Sequence, residues 1–217
     1  MQLVIGNKNY SSWSLRPWLL LQHFGVPFEE IHESLNAEGL SQRLNSYSPS
    51  NRVPVLIEGH TAVWDSLAIG EYVIEQHLMG TGWPKDPHRR AYARSISAEM
   101  HAGFSALRNA MPMNIRAKRR VDISPEVQRD LYRIAQIFGD ARRAHQASGA
   151  WLAGEFSFAD CMYAPVASRL KTYGVSLGHA ADEYVYMIHE LPAMQRWIAG
   201  AMQETEVVPE DEAGEPI

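Results

Sequence analysis

The chain has one cysteine, Cys161, in 217 residues, which excludes an internal disulfide and any Cys-x-x-Cys dithiol chemistry. A lone thiol suits a reducing cytoplasm. No stretch approaches the roughly 20 apolar residues of a membrane span. The first ten residues also lack the apolar region of a secretory leader, so no membrane partner is expected. The nine histidines are scattered without a pair at metal-ligand spacing, and no metal site is expected. Concentrated positive charge is scarce too. The formal net charge is −5, and the one dense basic run, Arg116-Ala117-Lys118-Arg119-Arg120, reads as a solvated helix end rather than a nucleic-acid surface. What remains is ordinary for a globular protein: 46% apolar and 21% charged residues, enough for a real core in one large domain or two small ones.

The first half alternates strand and helix. Leu3-Val4-Ile5 is a β-branched run that fits a buried strand. Leu15, Trp18, Leu19 and Gln22-His23 then recur at helical spacing, so a helix over 15–24 is expected. Ser14 is its expected cap, Pro17 falls in its first turn, and Gly25 closes it. Phe28 to Ile31 reads as a second strand, Ala37 to Leu44 as a short helix, and Ser48 to Asn51 as a turn. Val53 to Ile57 and Thr61 to Trp64 read as strands three and four around a tight turn at Glu58-Gly59-His60. Asp65-Ser66 opens a helix with Leu67, Gly70, Val73-Ile74 and His77 on one face.

Thr81 to Pro87, with one glycine and two prolines, marks a linker, and everything beyond it reads as helix. The expected division is 1–80, a linker at 81–87, an all-helical 88–203 and an acidic tail at 204–217. Within the helical part, one long helix covers 88–111. A second starts from Ser124 as N-cap and Pro125 at N1, with Val127, Leu131, Ile134, Phe138 and Ala141 at helical spacing. Ser157-Phe158-Ala159-Asp160 resembles a capping box at the head of an apolar helix that Pro165 should kink. Tyr184 to Met202 reads as a last amphipathic helix, and the tail as frayed.

Three features fall at the same ends of the first half's strands. Ser11-Ser12-Trp13-Ser14 lies at a strand-to-helix junction, where free N–H groups and the dipole favour an anion. Asn51-Arg52-Val53-Pro54 puts a proline at a strand's start. Asp65-Ser66 heads the third helix, where the pair can cap and can also hold an amino acid's amine and carboxylate.

With the helical second half, these features resemble the cytosolic glutathione transferases. The likeness rests on Ser11, Val53-Pro54, Asp65-Ser66, Trp83-Pro84 and Phe158-Ala159-Asp160 in that order, and covers nearly the whole chain. The run Ser11-Ser12-Trp13-Ser14-Leu15-Arg16 looks most like the zeta class pattern Ser-Ser-Cys-Ser-x-Arg, with Trp13 in place of the cysteine. The resemblance implies a thioredoxin-like α/β N-terminal domain, an all-α C-terminal domain, glutathione as co-substrate and a homodimer. It implies Ser11 as the catalytic hydroxyl, with Ser12 as the alternative. Ser12, Trp13, Arg52, Val53, a cis Pro54, Asp65 and Ser66 would hold glutathione, Asn51 being the alternative to Arg52 for the glycyl carboxylate. The electrophile's side is expected from Met100, His101, Phe104 and Arg108.

The implied activity is conjugation of the thiolate to a small electrophilic carbon. The alternatives are a glutathione-dependent cis-trans isomerase of the maleylacetoacetate type and a non-catalytic glutathione-binding module. Arg16, Arg108 and Arg116 are the residues that could hold a dicarboxylate. A thiol-transferase is disfavoured because the loop has no cysteine. A free thiol has a pKa near 8.5, so lowering it by about two units takes roughly 2.7 kcal/mol. One hydrogen bond to a charged acceptor, about 1.5–3 kcal/mol, with a helix-dipole contribution of about 0.3–1 kcal/mol, suffices.

Overall fold

The computed structural model describes residues 1–217. Its first part is a four-stranded sheet of β1 (Gln2–Ile5), β2 (Glu29–His32), β3 (Val55–Glu58) and β4 (Thr61–Val63), in the order β2-β1-β3-β4. The central strand β1 runs parallel to β2 and antiparallel to β3, with Val4 opposite both Ile31 and Val55. A parallel neighbour needs a crossover helix, and α1 (Ser12–His23) supplies it. Two further helices complete this part, the short α2 (Leu40–Asn45) and α3 (Ser66–Gln76). The second part holds α4 (Pro87–Ala102), α5 (Ser105–Ala110), α6 (Pro125–His145), α7 (Phe158–Thr172), α8 (His179–Glu190) and α9 (Pro192–Gln203). A two-residue β5 (Arg119–Arg120) there pairs with β6 (Glu215–Pro216). The fold is thus a thioredoxin-like α/β unit with an all-helical partner, and one cluster of buried apolar side chains runs through both.

Helix α7 is the axis of that cluster. All of its residues except Lys171 are buried, as its apolar sequence requires. It packs against α1, α4 and α8. Asp160 reaches back to the Ser157 N–H at 2.9 Å, and its other oxygen accepts from Leu152 N–H at 3.1 Å. Burial nevertheless raises its pKa to about 6. Gly70 of α3 meets α7 so closely that a Cβ there would lie 2.1 Å from the Phe158 ring.

Several boundaries differ from expectation. Helix α1 begins at Ser12, and Ser11, not Ser14, is its N-cap. The expected helix 88–111 breaks at Gly103-Phe104, ahead of Pro112. Gly103 is extended (φ −103°, ψ −166°), and Phe104 takes φ +56° while its ring stays buried. The expected helix from Tyr184 to Met202 is two helices, because Pro192 forces Leu191 out of the helical region (φ −58°, ψ 128°). β2 is displaced by one residue, and β3 starts two residues later and ends one later than expected, so Val53 lies before it.

The tail is not frayed. Glu204 accepts from the Lys8 and Asn9 N–H groups at 2.6 and 2.9 Å, Glu206 from Asn7 at 2.7 Å, and Glu212 from the Tyr10 hydroxyl at 2.7 Å. The acids that suggested solvation in the sequence instead clamp residues 7–10, the segment leading into Ser11.

Gly70→Ala should destabilise the protein by about 1–3 kcal/mol, the range for overpacking a rigid contact, read from denaturant unfolding. A second outcome concerns His189 of α8, 5% exposed with its Nδ1 against the Val185 carbonyl at 2.8 Å. Burial, with Lys171 and Lys118 adding to it, lowers its pKa to about 4. A depressed folded-state pKa means its contribution is intact above the unfolded value near 6.5 and is lost as pH falls toward 4. His189→Gln should therefore flatten the stability profile across that window.

Candidate functional site

The site is built at the amino end of α1. Ser11 Oγ accepts from the Ser14 N–H at 3.4 Å and donates to Ser14 Oγ at 2.7 Å, and Ser14 Oγ also accepts from the Gly6 N–H at 3.2 Å. Ser12 Oγ, one residue on, accepts from Arg169 Nη2 at 3.2 Å. Both Ser11 and Ser12 are 6% exposed.

Two adjoining cavities open here. The first, about 410 Å³, is lined by Trp13, Ser50, Arg52, Val53, Pro54, Trp64, Asp65, Ser66 and His101. The second, about 520 Å³, includes Ser11, Ser12, Trp13, Asn51, Arg52, Val53, Arg108, Arg169 and Asp211. Trp13, Arg52 and Val53 border both, so the two form one cleft between the α/β unit and the helices. The Val53–Pro54 peptide is cis, as is Trp64–Asp65.

Asp65 is the N-cap of α3. Its Oδ1 accepts from the Leu67 and Ala68 N–H groups at 3.0 and 3.4 Å, and its Oδ2 lies 3.1 Å from His101 Nε2. Ser66 is buried beside it and accepts from Arg16 Nη1 at 3.4 Å.

The structure brings Ser11, Ser12, Trp13, Arg52, Val53, Pro54, Asp65 and Ser66 to this one cleft. The residues expected from the long helix divide differently. Met100 is 0% exposed and Phe104 7% exposed, and both belong to the core rather than to either cavity. Methionine and phenylalanine at helical spacing pack inward here, as their hydrophobicity favours. His101 joins the first cavity, beside Asp65, and not the second. Arg108 alone of the four lines the second. Arg116, a candidate for holding a dicarboxylate, is engaged with the Glu204 carbonyl, the Glu206 carbonyl at 2.6 Å and the Tyr10 hydroxyl at 3.2 Å.

Sequence reasoning missed Arg169. Its one signal was a cation in a mostly apolar helix, blurred by Lys171 two residues on, where a charge is expensive unless it is used. With Arg16 and Arg108 it makes a cluster of three cations around Trp13. The Arg16 and Arg108 guanidiniums lie 4.0 and 5.2 Å from that ring's centroid. Nε and Nη2 of Arg16, Nε of Arg108 and Nη1 of Arg169 are buried without hydrogen-bond partners. Burial lowers the Arg16 pKa to about 9, with the charges of Arg169 and Arg108 adding to the effect. Burial, then Arg108, lowers that of Arg169 to about 10. None of the structure's ion pairs includes any of the three. Such a site is poised for an anion.

A thioredoxin-like layer joined to an all-helical one, with a serine-capped helix and Val53 lining one cavity between them, defines a recognisable class of protein. Models of the glutathione S-transferase N-terminal and C-terminal domains match residues 10–76 and 95–200, and the chain belongs to the glutathione S-transferase family. It is 30% identical to a maleylacetoacetate isomerase of Dictyostelium discoideum over 71% of this chain and 73% of that one. It is 31% identical to a "Probable maleylacetoacetate isomerase" of Caenorhabditis elegans, a match that spans only half of each chain. Among solved structures it resembles a glutathione transferase homolog from Burkholderia GL BGR1 with bound glutathione. That likeness has a TM-score of 0.71 and 21% identity, covers 94% of this chain and 98% of that one, and speaks to the fold. No helix is long and apolar enough to cross a membrane.

Arg16 tests the charge argument. Replacing a buried cation that has no carboxylate partner by a side chain of similar bulk removes a desolvation penalty. Arg16→Met should therefore raise the unfolding free energy of the ligand-free protein by about 1 kcal/mol or more. A loss of stability in denaturant titration would mean that the guanidinium is already compensated.

Proposed function

We propose that the cleft binds glutathione and that the protein transfers its thiolate to a small electrophilic carbon. The observation that carries this reading is that two serine hydroxyls at the amino end of α1 line the same cleft as the Val53–Pro54 turn and the Asp65–Ser66 cap, through adjoining cavities that share Trp13, Arg52 and Val53. In this reading the backbone of Val53, held by Pro54, pairs with the cysteinyl unit. Ser66 receives the γ-glutamyl carboxylate and Asp65 the amine, through the oxygen that now faces His101. Arg52 holds the glycyl carboxylate, with Asn51 beside it, and Trp13 walls the cleft. The sulfur then falls at the Ser11–Ser12 hydroxyls, where the helix dipole also favours negative charge. The glutathione bound in the Burkholderia structure supports the choice of ligand.

The electrophile enters the second cavity. There Arg108 and Arg169 favour a second reading, glutathione-dependent cis-trans isomerisation of a carboxylate-bearing substrate, in which the thiolate adds and then leaves. The names of the two isomerase relatives support it. We further propose the division of the chain at 81–87, a cytoplasmic location and a homodimer, which rest on the family and on the lone buried Cys161.

The double variant Ser11→Ala/Ser12→Ala should lose most turnover, by a factor of about 10–100, while glutathione affinity from calorimetry stays within several-fold. Glutathione binding without turnover by the unmodified protein, on an aryl halide and on maleylacetone alike, would reduce the reading to a binding module. Arg108→Gln separates the two enzymatic readings. It should lower kcat/KM for a carboxylate-bearing acceptor by about tenfold more than for a neutral one; an equal effect on both counts against isomerisation.

A further inference from the structure

The two serines at the head of α1 are not equivalent. The hydroxyl of Ser11 is committed at both ends, since it caps Ser14 N–H and gives its proton to Ser14 Oγ at 2.7 Å. Ser12 Oγ accepts from the Arg169 guanidinium at 3.2 Å, and no acceptor within the protein takes its own proton. A hydroxyl that accepts from a cation is polarised and becomes a stronger donor through its remaining proton. Arg169 is itself held in place, its Nε donating to the Met111 carbonyl at 2.8 Å, and it is 3% exposed with Nη1 unpartnered. Arg16 on α1 and Arg108 on α5 add positive charge from other sides. The one acid lining this cavity is Asp211 of the tail, whose charge attracts Arg169 without coming into ion-pair contact with it.

We propose that Ser12, polarised by Arg169, is the hydroxyl that holds the glutathione sulfur as a thiolate, and that Ser11 serves mainly to cap and position the helix. The inference rests on the glutathione reading above and deepens it. On ionisation the S–H bond breaks, the electron pair stays on sulfur and the proton leaves through the open cleft to water. Ser12 keeps its own proton and donates it as a hydrogen bond. Arg169 acts through Ser12, so it is a positioning residue, contributed to the thiol site by the helical part of the chain.

The test is the thiol's titration in the complex, followed by thiolate absorbance near 240 nm against pH. Ser12→Ala and Arg169→Gln should each raise the bound thiol's pKa by about one unit, which is tenfold less thiolate at a pH below it. The double variant should add little to either, because the two groups act as one. Ser11→Ala should shift the titration less than Ser12→Ala and show its larger effect in thermal unfolding. S-methylglutathione, which has no thiol to ionise, should bind all variants within about threefold of the unmodified protein, since none of these groups is assigned to its backbone. Should Arg169→Gln fail to fold by circular dichroism, Ser12→Ala decides alone. An unshifted titration in Ser12→Ala, with a large shift in Ser11→Ala, overturns the proposal and leaves glutathione binding standing. Absence of association between the unmodified protein and either glutathione or S-methylglutathione overturns both.

Discussion

The constraint from which this cleft follows is the gathering of three cations about one indole, Arg16 and Arg169 buried and Arg108 half-buried, without a carboxylate in ion-pair contact with any of them. Arg16, Arg108 and Arg169 come from α1, α5 and α7, so neither part of the chain makes the cluster by itself. Packing apolar residues there would be the easier way to stability, since an uncompensated buried charge destabilises a fold. A cationic hollow is tolerated because Trp13 offers its ring face to two of the cations, an attraction of about 0.5–2 kcal/mol each. The resemblance to the zeta pattern puts a cysteine where this chain has Trp13, and here the indole is what makes a three-cation site packable. A negative ligand completes the arrangement by binding.

Holding such a site requires the two parts of the chain to be fixed against each other. Helix α7 supplies most of that rigidity. It is buried almost throughout, headed by a carboxylate with several donors, and closely fitted to α3 at Gly70. The tail supplies the rest. Glu204, Glu206 and Glu212 hold residues 7–10 from the far side, and Arg119 binds Glu212 at 2.6 Å while β5 and β6 pair. The loop that presents the serines is therefore fastened at its base by acids from the other end of the chain. The sequence departs here from local logic, because acids near a terminus are usually solvated.

What could be read in the sequence follows from which interactions are local. Strand alternation, the Ser124-Pro125 and Asp65-Ser66 caps and the capping-box residues at 157–160 depend on neighbours within four positions, and all recur in the structure. The glutathione-site candidates of the first half gather in one cleft because they lie at the same ends of the strands of a small sheet. The misplacements involve distant partners. Gly103 and Phe104 leave the helix to bury a ring in the core, and Met100 turns inward for the same reason. His101 was on the expected helix, but its partner Asp65 lies on α3, and the pairing decides which cavity it lines. Arg169 stands with Lys171 near the end of a mostly apolar helix, and only the fold shows that it meets Ser12.

The contrast between Ser11 and Ser12 shows how one position along a helix decides a role. An N-cap side chain contributes about 0.5–2 kcal/mol by satisfying an orphan N–H, and Ser11 meets that need while also donating to Ser14. Turning its proton toward a ligand would leave Ser14 Oγ with the Gly6 N–H as its remaining partner and give up a buried hydrogen bond, a loss of about 1 kcal/mol. Ser12 sits inside the first turn, where no capping is asked of it. Its oxygen is satisfied from α7, and its proton is free. A ligand anion can gain that proton's full hydrogen bond without breaking one already made. The difference, about one hydrogen bond, is comparable to a unit of thiol pKa, which is the scale on which a thiolate is made available near neutral pH.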